Sequence, residues 1–329
     1  MQQVTIDDDG NFVRAASGFA ARITRDGASG WPVQAGRYRL VVSLACPWAH
    51  RALIVRRLLG LETALSVAVA DPIQDERSWR FTLDPDGRDP VLGIAYLSEA
   101  YAAADPDYDG GVSVPAVVDI PSGHLVTNDY WQLTLDLSTE WSALHRSGAP
   151  DLYPAGLREE IDEVNAVVYR DVNNAVYRAG FAQSQRAYQR AYDALFARLD
   201  WLTERLTERR YLVGDHLTEA DIRLFTTLVR FDAVYHGHFK CNREKLSENP
   251  VLWSYARDLF QTPGFGDTVN FEHITRHYYL VHTQLNPSGI VPAGPDPAGW
   301  HTPHDRSRLP GTPFGHGTPP SAAAGADHA

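Results

Sequence analysis

The feature that most constrains this chain is a cysteine set between a strand and a helix. Residues 38–44, Tyr-Arg-Leu-Val-Val-Ser-Leu, form an apolar run that reads as a strand, and Cys46-Pro47-Trp48-Ala49-His50 follows at once. From Ala49 to Leu59 the pattern is helical, with Leu53, Leu58 and Leu59 near one face and Gly60 as the stop. Cys46 therefore opens a helix, where unpaired backbone N–H groups and the positive dipole end favour an anion. The thiolate is the reactive form of cysteine, and a thiol with a pKa of about 8.5 is only about 3% ionised at pH 7. Pro47 suits the first helical turn because its missing N–H would have had no partner there. The position three after Cys46, where a dithiol enzyme carries its second cysteine, holds Ala49. The pattern predicts a monothiol redox site. The competing reading, a packed structural cysteine, explains the burial habit of free cysteine but not the strand–cysteine–proline–helix order.

The chain has 329 residues and 44% hydrophobic content, enough for a large core and for two domains. A net charge of −11 with no basic stripe argues against nucleic acid as a partner. No run of about 18 apolar residues and no basic-then-apolar leader occurs, so a soluble, cytoplasmic protein without membrane association is expected. Only Cys46 and Cys241 could form a disulfide, so no disulfide framework is expected. Lysine occurs only at Lys240 and Lys245. With abundant Ala, Gly, Asp and Pro, that bias suggests a GC-rich coding genome.

Residues 1–35 are polar and broken by Gly27, Gly30 and Pro32, and read as an N-terminal extension. Residues 36–138 alternate strand and helix patterns in the order β-α-β-α-β-β-α, which is that of a thioredoxin-like domain. The long irregular connection 71–92 within them is of a length that is often functional. From Pro150 the chain turns to long helices: Leu157, Ile161, Val164, Val168 and Val172 keep three-or-four spacing, as do Ala191, Leu195, Leu199, Leu202 and Leu206. Thr218-Glu219-Ala220-Asp221 has the form of a capping box, and Asn249-Pro250 begins another helix. The all-helical part spans 150–285. Residues 286–329, rich in Pro, Gly, Ala and His, read as a largely flexible extension. His236, His238 and Cys241 have loosely metal-like spacing without a further ligand group, and no metal site is expected.

An α/β thioredoxin-like domain followed by an all-α domain is the glutathione transferase layout. Within that superfamily the chain resembles the glutathionyl-hydroquinone reductases, the cysteine-type Xi class, over about residues 36–295. The resemblance is carried by Cys46-Pro47-Trp48-Ala49-His50-Arg51, Tyr177-Arg178-Ala179-Gly180-Phe181-Ala182 and Tyr211-Leu212-Val213-Gly214. Residues 218–225, 230–235, 238–242 and 286–292 add further stretches of the same family pattern.

The resemblance implies a thiol-dependent reductase that cleaves S-glutathionyl hydroquinones, with Cys46 as nucleophile and a mixed disulfide resolved by a second thiol. It places Tyr177 and the Tyr278-Tyr279 pair near the aromatic substrate, where a phenol is a plausible proton donor. For the thiol it implies Trp79, Val114 with a cis Pro115, and the corner where the family carries Asn-Glu-Ser. Here the corner is Asn128-Asp129-Tyr130. The shorter acid and the ring leave two candidate thiols, glutathione and mycothiol. The family further implies a homodimer. Two other functions stay open at this stage: a general deglutathionylase, thioltransferase or dehydroascorbate reductase, and a non-catalytic ligand- or partner-binding protein.

Overall fold

In a computed structural model, which describes residues 5–321, the strand before Cys46 becomes the centre of a sheet. The first two strands, β1 (Thr5–Ile6) and β2 (Phe12–Val13), form a separate antiparallel hairpin. Strand β3 (Tyr38–Val42) is buried along its whole length, as a strand covered on both faces must be. It pairs in parallel with β4 (Leu65–Val69) and antiparallel with β5 (Ala116–Asp119), which pairs with β6 (Leu125–Thr127), giving the order β4-β3-β5-β6. Helix α1 (Pro47–Leu59) crosses from β3 to β4 and packs on α3 (Leu133–Thr139), while α2 (Leu97–Ala104) packs against β6. Gly60 ends α1 at φ +69°, a left-handed conformation that a side chain would strain, with its amide turned back to the helix.

Helix α3 begins at Leu133, so Asp129 lies ahead of it rather than in its first turn. The Asp129 carboxylate instead accepts the amides of Trp131 (3.0 Å) and Gln132 (3.3 Å), making a local turn ahead of the helix.

The helical half contains α4 (Arg158–Val168), α5 (Ala175–Gly180), α6 (Gln185–Glu208), α7 (Glu219–Arg230), α8 (Pro250–Gln261) and α9 (Phe271–Val281). Helix α7 is buried at every position and packs on both α1 and α4, so it is the axis about which the two halves meet. π-helical turns follow α4 (Tyr169–Asn173) and α7 (Phe231–Tyr235). Such turns bulge a helix and turn side chains inward, and both lie next to the tyrosines described below. No helix among the described residues is long and apolar enough to cross a membrane.

Composition argues for flexible ends, yet both extensions lie on the body through residue 321. Trp300 is buried, with its ring centroid 4.6 Å from that of Trp253 and 5.1 Å from that of Phe260. The buried Arg306 guanidinium donates to the carbonyls of Leu206 (2.6 Å) and Arg210 (3.1 Å). Trp300 and Arg306, with Arg57, Arg146, Arg210 and Arg257 from the body, anchor a tail that Pro and Gly content alone marks as loose. Residues 322–329 of the expected flexible extension lie outside the described residues.

The capping box forms as read. The Asp221 carboxylate accepts from the backbone N–H (3.0 Å) and hydroxyl (3.1 Å) of Thr218, and also from the Leu212 amide (2.9 Å) and the Tyr255 hydroxyl (2.8 Å). A buried carboxylate with four donors cannot be removed cheaply, because the donors are left unsatisfied. Asp221→Ala should lower the unfolding free energy by roughly 2–4 kcal/mol, measured as a shift in urea midpoint with the m value unchanged.

Candidate active site

The turn from β3 into α1 places Cys46 at the helix N-cap in an extended conformation (φ −77°, ψ 120°). Its backbone N–H donates to the Ser43 carbonyl and its carbonyl accepts from the His50 amide, both at 3.0 Å. The thiol donates to the carbonyl of Val114 at 3.4 Å, and the Val114–Pro115 peptide is cis, as the resemblance implied. Cys46 is half-buried, and Cys241, the other cysteine, is fully buried. Burial pushes the Cys241 thiol far up, as suits a packed, inert group.

The expectation that the helix start alone would favour a thiolate needs correcting. Burial is the largest influence on Cys46 and pushes its thiol up. The amides of Trp48 and Ala49 and the guanidiniums of Arg230 and Arg14 pull the other way without overcoming it. A protonated sulfur is also what a hydrogen bond to the Val114 carbonyl requires.

Arg230, at the end of α7, lies beneath this turn. It is fully buried and has no carboxylate partner among the described residues. Its guanidinium donates to the carbonyls of Leu44 (3.1 Å), Ala45 (2.9 Å) and Thr226 (2.8 Å) and to His50 Nδ1 (3.1 Å). Burial, and then Arg230, push His50 well below its ordinary pKa, so its ring is neutral. With Nδ1 accepting, Nε2 carries the proton and donates to the Thr268 hydroxyl at 2.8 Å. Both ring nitrogens are thereby engaged away from sulfur. His50 is thus a structural residue that ties the helix start to Arg230 and Thr268.

Tyr177 on α5 and Tyr278 on α9 come together with Tyr235 from the π-helical turn. The hydroxyls of Tyr177 and Tyr278 are hydrogen-bonded, and that of Tyr235 lies 3.0 Å from that of Tyr278. Tyr279, the alternative to Tyr278, turns away to pack on His238. Burial pushes the hydroxyls of all three clustered tyrosines up, so they remain protonated donors. The Tyr177 ring also lies 6.1 Å from that of Trp48, two residues after Cys46.

The remaining predicted residues split in two. Val114 and Pro115 lie against Cys46. Trp79 is buried with its ring stacked on His277 (5.2 Å), and its indole N–H has no hydrogen-bond partner. That leaves it a donor to offer a ligand. Asp129 is engaged in the turn already described. Tyr130 lays its ring on Trp48 (centroids 4.7 Å apart), and its hydroxyl meets that of Tyr169 at 3.1 Å. Trp48, Tyr130 and Tyr169 together form an aromatic wall at this corner.

Tyr235, Arg230 and Arg14 at the site escaped the sequence reading, Tyr235 standing only within a family stretch. Arg230 was visible only as part of a family stretch, although an arginine on the apolar side of a helix is itself a signal. Arg14 gave none, because it stands in a segment without periodicity.

A family model for the C-terminal domain of glutathione S-transferases matches residues 185–258. The chain is 45% identical over 294 residues to the glutathionyl-hydroquinone reductase YqjG of Escherichia coli, covering 87% of this chain and 89% of that one. It is equally identical to PcpF of Sphingobium chlorophenolicum, also a glutathionyl-hydroquinone reductase, over 88% and 92% of the two chains. Among solved structures, a glutathione transferase from Gordonia bronchialis superposes with a TM-score of 0.92 at 62% identity, covering 93% and 96%. The glutathione-bound structure of YqjG superposes at 0.82 and 43% identity, covering 88% and 96%. The chain is a glutathione transferase in fold, and it belongs to the glutathionyl-hydroquinone reductases of the Xi class.

The balance at Cys46 has a measurable consequence. In the free protein the pH midpoint for alkylation of Cys46 by iodoacetamide should lie above that of an ordinary cysteine thiol, and Arg14→Met should raise it further by removing one of the opposing charges. The rate is read from the loss of free thiol, with Cys241 as the buried, unreactive background.

Proposed function

We propose that this protein reduces S-glutathionyl hydroquinones through a covalent intermediate on Cys46. The reading rests above all on one observation: a lone thiol at a helix N-cap, with Ala49 where a resolving cysteine would stand, lies close enough to the hydrogen-bonded tyrosine cluster for its charge to bear on Tyr177. Family membership supports the same reaction. The two free cysteines suit a reducing cytoplasm, and membership in this family supports a homodimer.

In the first step the Cys46 thiolate attacks the glutathionyl sulfur of the ketonic tautomer of the adduct. The new S–S bond forms as the C–S bond breaks, and that electron pair passes through the ring to oxygen, giving the aromatic hydroquinone as a phenolate. In this reading the Tyr177–Tyr278 pair donates to that oxygen, and a proton from the medium completes the product. In the second step a glutathione thiolate attacks the mixed disulfide, releasing glutathione disulfide and the Cys46 thiolate. Ala49 cannot intercept the mixed disulfide, so resolution falls to the external thiol. Since burial pushes the thiol up and only the thiolate reacts, kcat/KM should rise with pH through the Cys46 ionisation on the alkaline side of neutrality.

The co-substrate thiol follows from the corner. Trp79 Nε1, a buried donor without a partner, and the backbone at Val114 suit glutathione. The Tyr130 ring, standing where a small hydroxyl would help hold the γ-glutamyl end, is the specific observation favouring a second thiol such as mycothiol. Turnover of a glutathionyl-hydroquinone and its mycothiol counterpart, each with its own thiol, decides the matter. Activity on either adduct should vanish in Cys46→Ala, and the preferred adduct identifies the thiol. Inactivity of the folded wild type on both would reject the reductase reading.

A further inference from the structure

The N-terminal extension is part of the active site. Its hairpin is pinned to the helical half: Gly10 O accepts the Gln183 amide (2.9 Å), and Asp9 O accepts the Ser184 hydroxyl (2.9 Å). A few residues later it is pinned to the thioredoxin-like half, where Phe19 and Asn128 exchange two bonds at 3.0 Å, one from each backbone amide. The segment between these anchors bridges the two halves and ends on the corner that departs from the family pattern.

Arg14 lies on this bridge. Its guanidinium carbon is 4.6 Å from the Trp48 ring centroid and 4.7 Å from that of Tyr177, so the cation sits between the two aromatic rings beside Cys46. One nitrogen, Nε, donates to the Asn174 side chain at 2.8 Å. Another, Nη2, is shielded from solvent and has no hydrogen-bond partner, and no carboxylate pairs with Arg14 among the described residues. These two aromatic faces and that of Phe12, 5.2 Å away, compensate such a charge only in part, and a buried donor without an acceptor costs about 1–3 kcal/mol. An arrangement of this kind is made good by an anion. The positive charge also pulls down the Cys46 thiol and the hydroxyls of Tyr177 and Tyr130, so its field reaches the reacting centre.

We propose that Arg14, carried across the cleft by the N-terminal extension, binds the phenolate oxygen of the hydroquinone as it leaves the glutathionyl sulfur. This inference rests on the reductase reading and adds a fixed cation to the tyrosine donors. The bond changes are those already given: as the C–S pair passes into the ring, negative charge appears on oxygen, and the guanidinium supplies charge and a free N–H where the tyrosines supply only neutral O–H groups. A preorganised donor to a developing oxyanion contributes roughly 10²-fold or more in rate.

The test compares wild type, Arg14→Met and Arg14→Lys on S-glutathionyl hydroquinones whose ring substituents vary the basicity of the leaving oxygen. Arg14→Met should lower kcat/KM roughly 10²-fold, with the loss growing as the leaving oxygen becomes more basic, and Arg14→Lys should recover much of it. A loss uniform across the series would mean that Arg14 only holds the extension in place, and wild-type rates would deny it any role. Either result overturns the proposal. A second readout needs no turnover: bound 4-nitrophenol, whose ionised form is coloured, should be held as phenolate by the wild type and by Arg14→Lys, and lose that band in Arg14→Met. An unchanged band overturns the proposal even if the wild type proves inactive on every adduct, a result that would instead reject the reductase reading.

Discussion

Arg230 is a positive charge taken out of water with no acid to meet it among the described residues, and the shape of the active site depends on how it is satisfied. Removing an ion from water costs several kcal/mol even after relaxation, so its hydrogen bonds must all be made. It makes them to the carbonyls of Leu44 and Ala45, the two residues before the nucleophile, and to His50, one turn after it. The last turn of α7 in the helical half thus grips the loop and helix that present the thiol in the other half. The two halves cannot shift against each other without breaking a buried charge network, which makes the position of Cys46 a property of the whole molecule.

The chemistry at Cys46 is a contest between burial and charge. A helix start usually lowers a thiol pKa, but here the aromatic surroundings that would hold a quinol ring also deprive the sulfur of water, and burial has the larger effect. Arg230 and Arg14 oppose it from two sides, one fixed beneath the loop and one brought over the cleft. The three tyrosines feel the same dry environment and stay protonated. A site of this kind holds a proton donor, a cation and a sulfur nucleophile close together, the set a carbon–sulfur cleavage with an aromatic leaving group needs.

Much of this could be read in the sequence because each part had a local signature. The strand Tyr38–Val42, Pro47 at the helix start, the Gly60 stop and the Thr218–Asp221 box are determined by residues close in sequence, and all appear. Cys46 was legible in its own strand–cysteine–proline–helix setting and the two tyrosines through the family resemblance; the hydroxyls of Tyr177 and Tyr278 are hydrogen-bonded, and the Tyr177 ring packs beside Trp48. What could not be read depends on long-range partners. Arg14 reaches Asn174 over 160 residues, and nothing in an irregular segment marks that contact. Trp300 and Arg306 hold the tail by packing that composition conceals. The resemblance marks Asp129 as part of the thiol corner, but that its carboxylate accepts two amides of its own turn follows from a local backbone path that no pattern announces.

The most direct test of sulfur attack by Cys46 is the intact mass of the enzyme after one equivalent of a glutathionyl-hydroquinone, with no free thiol present to resolve the intermediate. One hydroquinone should be released per chain as the protein gains one glutathionyl group on Cys46, reversibly on adding thiol, and Cys46→Ser should show neither. Release of hydroquinone from the wild type with the protein mass unchanged would contradict a mixed disulfide and place the chemistry on another group.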